Sequence, residues 1–179
     1  MALEHAILVS LAERSASGYE LARRFDASIG HFWSASHQQI YKVLGRMEAD
    51  KLVSADLIAQ EGRPDKKVYA ITDEGLAEVQ DWLAKPSPPE AVRIDFAVKL
   101  RALHLADRET FRAEVRDRRS AHAQLLAAYE ASEQKYYPDP SALADDQLGG
   151  WLALRGGIRV EQGGIEWCDE ILQALGETA

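Results

Sequence analysis

One cysteine, Cys168, is all the thiol this 179-residue chain has. No disulfide can form within the chain, and a zinc site built on cysteine pairs is excluded. The histidines, His5, His31, His37, His104 and His122, do not pair at metal-ligand spacing on one helix. Long apolar runs are missing as well. Glu4, His5 and Ser10 interrupt the apolar residues at the start, which leaves no signal-peptide core, and no stretch approaches the length that spans a bilayer. Neither a Gly-x-Ser-x-Gly elbow, a Gly-x-Gly-x-x-Gly turn nor a Walker loop occurs. These absences predict a cytoplasmic protein, not an enzyme, with no cofactor, no metal and no membrane partner. Positive charge is also in short supply, with 21 Lys and Arg against 29 Asp and Glu and a net charge of -8. A phosphate-binding surface therefore has to be local, because the chain as a whole carries the wrong sign.

Proline is concentrated in one place, with three of the six inside Lys85-Pro86-Ser87-Pro88-Pro89. That segment cannot be helical through its middle and predicts a boundary between a domain of residues 1–85 and one of residues 86–179. What is present fills the gaps. Leu3, Ile7, Leu8 and Leu11 recur at helical spacing over residues 2–13. Ser17-Gly18-Tyr19-Glu20 has the form of a capping box opening a second helix. Ser36 caps a third, with Ile40, Val43, Leu44 and Met47 on its apolar face. Two alternating runs, 52–58 and 67–71, flank a turn-rich connector and predict a hairpin. Thr72 then caps a fourth helix reaching about Ala84. The second half reads as helices only, over 90–105, 107–136 and 141–176. The fold class is mostly α with a small β-hairpin.

Three helices followed by a hairpin is the order of a winged helix-turn-helix. The third helix, roughly residues 36–50, would be the recognition helix. Opposite its apolar face stand Gln38, Lys42, Gly45 and Ala49, flanked by Gln39, Tyr41 and Arg46. Glutamine suits adenine edges, Lys and Arg suit guanine or phosphate, and the small residues allow a close approach to the groove. The connector, the wing over residues 59–68, carries Arg63, Lys66 and Lys67 around a Gly-Arg-Pro turn, which suits a narrow minor groove. Alone, the polar face describes any solvated helix and the connector any soluble turn. Together and in this order they point to double-stranded DNA. The alternative is a dimeric winged-helix module whose third helix docks on protein without operator binding.

The chain resembles the PadR-like transcriptional regulators. The matching pieces are Met1-Ala2-Leu3-Glu4-His5-Ala6-Ile7-Leu8, Ser17-Gly18-Tyr19-Glu20-Leu21, Gln39-Ile40-Tyr41-Lys42-Val43-Leu44 with Met47-Glu48, and Tyr69-Ala70-Ile71-Thr72-Asp73-Glu74-Gly75. The resemblance implies an N-terminal winged helix-turn-helix and a C-terminal, all-helical dimerisation domain. It implies a homodimeric repressor on a palindromic operator, released in many members by a small, often aromatic or phenolic, effector. It places Tyr41 and Lys42 against phosphate or bases, Gly62 and Arg63 at the wing tip, and Tyr19 near phosphate. With Ser36, Gln38, Gln39, Arg46, Lys66 and Lys67, these residues make up the expected DNA-binding set.

The last helix carries glycine pairs at 149–150, 156–157 and 163–164, a seven-residue period. Such a period drifts only about 20° per repeat on a helix, so all six fall along one side. A bare side lets another helix approach, and Leu154, Ile158, Ile165 and Leu172 recur beside it. The expected dimer interface is these four residues with Gly156, Gly157, Gly163 and Gly164. The same bare face could instead leave space beside Trp151 for an effector. Trp151 with Arg155 one turn later could stack an aromatic acid and pair its carboxylate.

Overall fold

A computed structural model of the chain describes residues 2–27, 36–59, 66–87 and 94–177. The chain divides into two compact units, Met1–Pro89 and Glu90–Ala179.

In the first unit, α1 (Ala2–Glu13), β1 (Ala16–Ser17), α2 (Gly18–Ala27) and α3 (His37–Ala49) precede β2 (Val53–Ile58), β3 (Lys66–Ile71) and α4 (Asp73–Leu83). Local hydrogen bonds explain where the helices start. The Ser17 amide donates to Glu20 Oε2 at 2.9 Å while the Glu20 amide donates to Ser17 Oγ at 3.3 Å. Ser36 and Gln39 repeat this reciprocal cap on α3 at 2.9 and 3.2 Å. Thr72 Oγ1 accepts from the Gly75 amide at 3.1 Å and donates to the Lys51 carbonyl at 2.7 Å, so it both opens α4 and fastens the end of α3. The apolar faces converge on one core, in which Ile7, Leu21, Ile40, Leu44 and Met47 are fully buried.

The sheet has three antiparallel strands in the order β1-β3-β2. The hairpin register pairs Val53 with Ile71 and Ile58 with Lys66. Strand β1 pairs Ala16 with Tyr69 and Ser17 with Val68. Two residues are too few to show alternation, and the sequence gives no sign of this strand.

The second unit contains α5 (Asp95–Arg101), α6 (Arg108–Tyr136) and α7 (Asp145–Ala174). The single helix expected over residues 90–105 is shorter and broken. It ends at Arg101 and resumes as a tight 3-10 turn, Leu103–Leu105, with the Ala102 amide donating to the Lys99 carbonyl at 3.0 Å. Asp107 caps α6 by accepting from the Thr110 amide at 2.9 Å. Helices α6 and α7 lie along each other as a long hairpin. Phe96 stacks on Phe111 at 5.7 Å and meets Trp167 edge-on at 5.5 Å, joining α5 to the pair. Val115, Cys168 and Leu172 complete this second core. Near its open end, Arg119 holds Asp169 through two nitrogens at 2.5 and 3.0 Å, and Arg116 reaches Glu177 at 2.9 Å.

Helix α7 runs unbroken for 30 residues through all three glycine pairs. Neighbouring residues on a helix point about 100° apart, so the pairs split into two rows. The second row turns inward onto α6. A β-carbon at Gly164 would stand 2.7 Å from the His122 ring, and one at Gly150 would stand 2.6 Å from the Tyr137 hydroxyl. The first row, Gly149, Gly156 and Gly163, faces open space.

Candidate nucleic-acid interface

The polar face of α3 is laid bare by the helix's own periodicity. Ile40, Leu44 and Met47 are sunk in the core, which leaves Gln38, Tyr41, Lys42, Gly45, Arg46 and Ala49 exposed. Tyr41 is 49% exposed and Tyr19, at the start of α2, is 57% exposed. The two belong to one surface because the Tyr41 ring lies against Gly18, where a β-carbon would clash with it. Gly18 thus sets the distance between α2 and α3.

The exposed side chains differ in how free they are. Lys42 has no ion pair among the described residues. Arg46 Nη2 lies 2.5 Å from Glu4 Oε1, Lys66 Nζ 2.8 Å from Glu20 Oε1, and Lys67 Nζ 2.6 Å from Glu48 Oε2. Lys67 also sits over the Tyr69 ring at 5.3 Å. The Lys66 ammonium, followed by the Ser17 amide and hydroxyl, holds the Glu20 carboxyl down to about 2. The hydrogen bond to Glu48 raises the Lys67 ammonium above its ordinary value. Three of the expected DNA-binding cations therefore carry their own carboxylate, each a stand-in for the phosphate oxygens a duplex would offer. The glutamic acids were not anticipated as members of this surface. Glu4 lies 42 positions from Arg46 and Glu20 lies 46 from Lys66, separations with no local pattern.

Gln39 is also committed differently from the expectation. Its carbonyl oxygen accepts the Ser36 amide in the cap. Bidentate pairing with adenine needs both that oxygen and the amide nitrogen, so of the two glutamines only Gln38 keeps its whole amide unengaged among the described residues. Ser36 is spent on the same cap. Gly62 and Arg63, expected at the wing tip, lie outside the described residues, as does His31.

In the second unit the structure rearranges the expected sites. Trp151 Nε1 donates to Glu133 Oε1 at 2.9 Å, and Arg155 pairs with Glu133 Oε2 at 3.3 Å. The carboxylate seat expected for an aromatic acid is thus filled from α6. Of the expected dimer residues, Ile158 (1% exposed) and Leu172 are buried within the chain, Gly157 is buried, and Leu154, Gly164 and Ile165 are half-buried. Only Gly156 and Gly163 face outward. The residues that share their open face are Leu148, Leu152 and Val160, the last 63% exposed. Inside the hairpin, Glu161 is buried against His122 Nδ1 at 2.5 Å. Burial, with the Glu161 charge, pushes the Tyr129 hydroxyl up, and burial likewise raises the Cys168 thiol. Among the described residues no group of three His, Cys, Asp or Glu side chains could hold a metal ion, and no helix is long and apolar enough to cross a membrane.

Comparison with known proteins places this geometry. Residues 7–81 match the transcriptional regulator PadR-like family, and residues 92–176 match the virulence activator alpha C-terminal family. A probable transcriptional regulator of Mycobacterium tuberculosis is 48% identical over 99% of both chains. The negative transcriptional regulator PadR of Bacillus subtilis is 29% identical over 97% of each. Its crystal structure with operator DNA superposes with a TM-score of 0.85 at 28% identity, covering 98% of this chain and 99% of that one. The same protein with p-coumaric acid gives a TM-score of 0.80, also at 28% identity, over 99% and 100%. The Vibrio cholerae virulence activator AphA gives 0.79 at 36% identity over 99% of both chains. A bare polar helix beside a basic hairpin, carried on this fold and matched over nearly its full length, identifies the chain as a member of the PadR-like family of DNA-binding transcriptional regulators.

Proposed function

We propose that the protein is a homodimeric repressor that binds a palindromic operator through α3 and the wing and is released by a small aromatic or phenolic acid. The observation that carries this reading is the exposed face of α3, where Gln38, Tyr41 and Lys42 stand free beside the cations of the hairpin. Gln38 and Lys42 meet base edges or phosphate, Tyr19 and Tyr41 meet phosphate, and Arg63 enters the minor groove from the wing tip. Arg46, Lys66 and Lys67 join by exchanging a carboxylate for a phosphate. Residues 1–85 serve as the DNA-binding domain and residues 86–179 as the dimerisation and effector domain. The outward row of α7 (Leu148, Leu152, Gly156, Val160 and Gly163) is the face on which a second copy packs. It joins apolar side chains to bare backbone, which is what close helix pairing needs. Repression and release by an aromatic acid follow the Bacillus subtilis relative, a negative regulator solved with operator DNA and with p-coumaric acid.

The test is a footprint upstream of the protein's own gene, with and without p-coumaric acid, followed by gel shifts of single variants. Lys42→Ala and Arg63→Ala should each weaken binding by about tenfold, in the range of one lost base or phosphate contact, with unchanged thermal melting. Full affinity in both variants would remove the assignment of α3 and the wing.

A further inference from the structure

Two arginines of the first unit take no part in the carboxylate pairs of the DNA face. Arg14, just beyond α1, and Arg23, one turn after Tyr19 on α2, are both exposed. Neither guanidinium has a hydrogen-bond or ion-pair partner among the described residues. Arg24 beside them behaves otherwise. It donates to the Arg14 carbonyl at 2.8 Å and the Ser15 carbonyl at 3.3 Å, clipping the turn between α1 and β1.

Arg14, Arg23, Arg24 and Lys66 line one concavity of about 610 Å³ together with Tyr19. The one carboxylate among its described lining residues, Glu20, is already held by Lys66. Among the described residues that line it, four cations face one neutralised acid, in a chain of net charge -8. Like charges brought together repel, and the repulsion is relieved when an anion enters. Tyr19 on α2 and Lys66 on β3 line this hollow and also belong to the expected DNA-binding set, so the hollow borders the surface assigned to DNA. Guanidinium forks match phosphate oxygens in two parallel bonds.

We infer that Arg14 and Arg23 form a second phosphate clamp, which grips the duplex backbone beside the stretch met by α3 and the wing. The inference rests on the DNA-binding reading above. The clamp reads no bases. It adds affinity and salt dependence equally on every sequence and fixes the seating of α3 in the groove.

The experiment is fluorescence anisotropy on a labelled, mixed-sequence duplex of about 30 base pairs, titrated with salt between about 50 and 200 mM. Wild type is compared with Arg14→Gln/Arg23→Gln and Arg14→Lys/Arg23→Lys, and thermal melts confirm that all three fold. Each phosphate contact contributes about 0.9 to the slope of log K against log salt, so the glutamine variant should lose about 1.8 per bound chain and bind at least about tenfold more weakly at low salt. The lysine variant should keep most of the slope. A glutamine variant with the wild-type slope and affinity overturns the clamp and leaves the α3 assignment standing. A wild-type protein that binds no duplex at any salt overturns both.

Discussion

Lys51 is the one non-glycine residue, among those described, whose backbone is left-handed, with φ at 61°. It ends α3. The Leu52 amide turns back to the Met47 carbonyl at 2.9 Å, and the Asp50 amide donates to Arg46 at 2.9 Å. Glycine usually fills such a position because a β-carbon crowds the carbonyl there. Lys51→Gly should therefore stabilise the protein by about 1 kcal/mol, read as a higher urea midpoint at unchanged slope. Glu20 works at the same scale in two directions, capping α2 and pinning Lys66. Its folded pKa of about 2 lies below the ordinary 4.5. The stabilisation is therefore complete above the unfolded value and is lost as pH falls through the folded one. Glu20→Gln keeps an oxygen for the Ser17 amide and removes only the charge. Because the pair is partly exposed to solvent, wild type should exceed this variant by no more than about 1 kcal/mol at neutral pH. The gap should close between about pH 5 and pH 2 in urea titrations, and a gap that persists at the acid end would contradict the role given to the ion pair.

At the scale of elements, the helices of the first unit were legible because their starts are written locally. Ser17 with Glu20, Ser36 with Gln39, and Thr72 are short-range signals, and the structure uses all three. Strand β1 was not legible, since its pairing with β3 is made by only two positions, 16 with 69 and 17 with 68, far apart in the sequence. The 3-10 turn after α5 was missed because Leu100, Leu103 and Leu105 continue an apolar pattern that periodicity alone does not interrupt. The seven-residue period alone puts the glycine pairs on one bare side, whereas packing on α6 separates them. That separation makes the two rows experimentally distinct. Gly164→Leu drives a side chain into the His122 ring and should destabilise the chain by about 2 kcal/mol, the usual range for overpacking. Gly156→Leu meets nothing within 4 Å and should instead raise helix stability by about 0.8 kcal/mol. Thermal melting and sedimentation of the two variants separate these outcomes. Gly156→Leu should melt higher as an isolated chain and associate less, while Gly164→Leu should melt lower. A Gly156→Leu protein that associates as wild type does would move the interface off this row.

On the scale of the whole molecule, net charge and function pull in opposite directions. A chain of charge -8 repels DNA from most of its surface and admits it only where cations gather. The free Lys42, the exchangeable Arg46, Lys66 and Lys67, and the hollow at Arg14 and Arg23 all lie in the first unit. The sequence displayed most of these cations but hid their carboxylates, because Glu4, Glu20 and Glu48 reach them only through the fold. Two copies joined along α7 would present two such faces, so the operator should be an inverted repeat with half-site centres about one helical turn, or a multiple of it, apart. The most direct measurement is selection from a pool of random duplexes by wild type and Lys42→Ala in parallel. Wild type should enrich an inverted repeat, and Lys42→Ala should recover it at least about tenfold less well. Enrichment of no repeat by wild type, or equal enrichment by both proteins, would contradict the account.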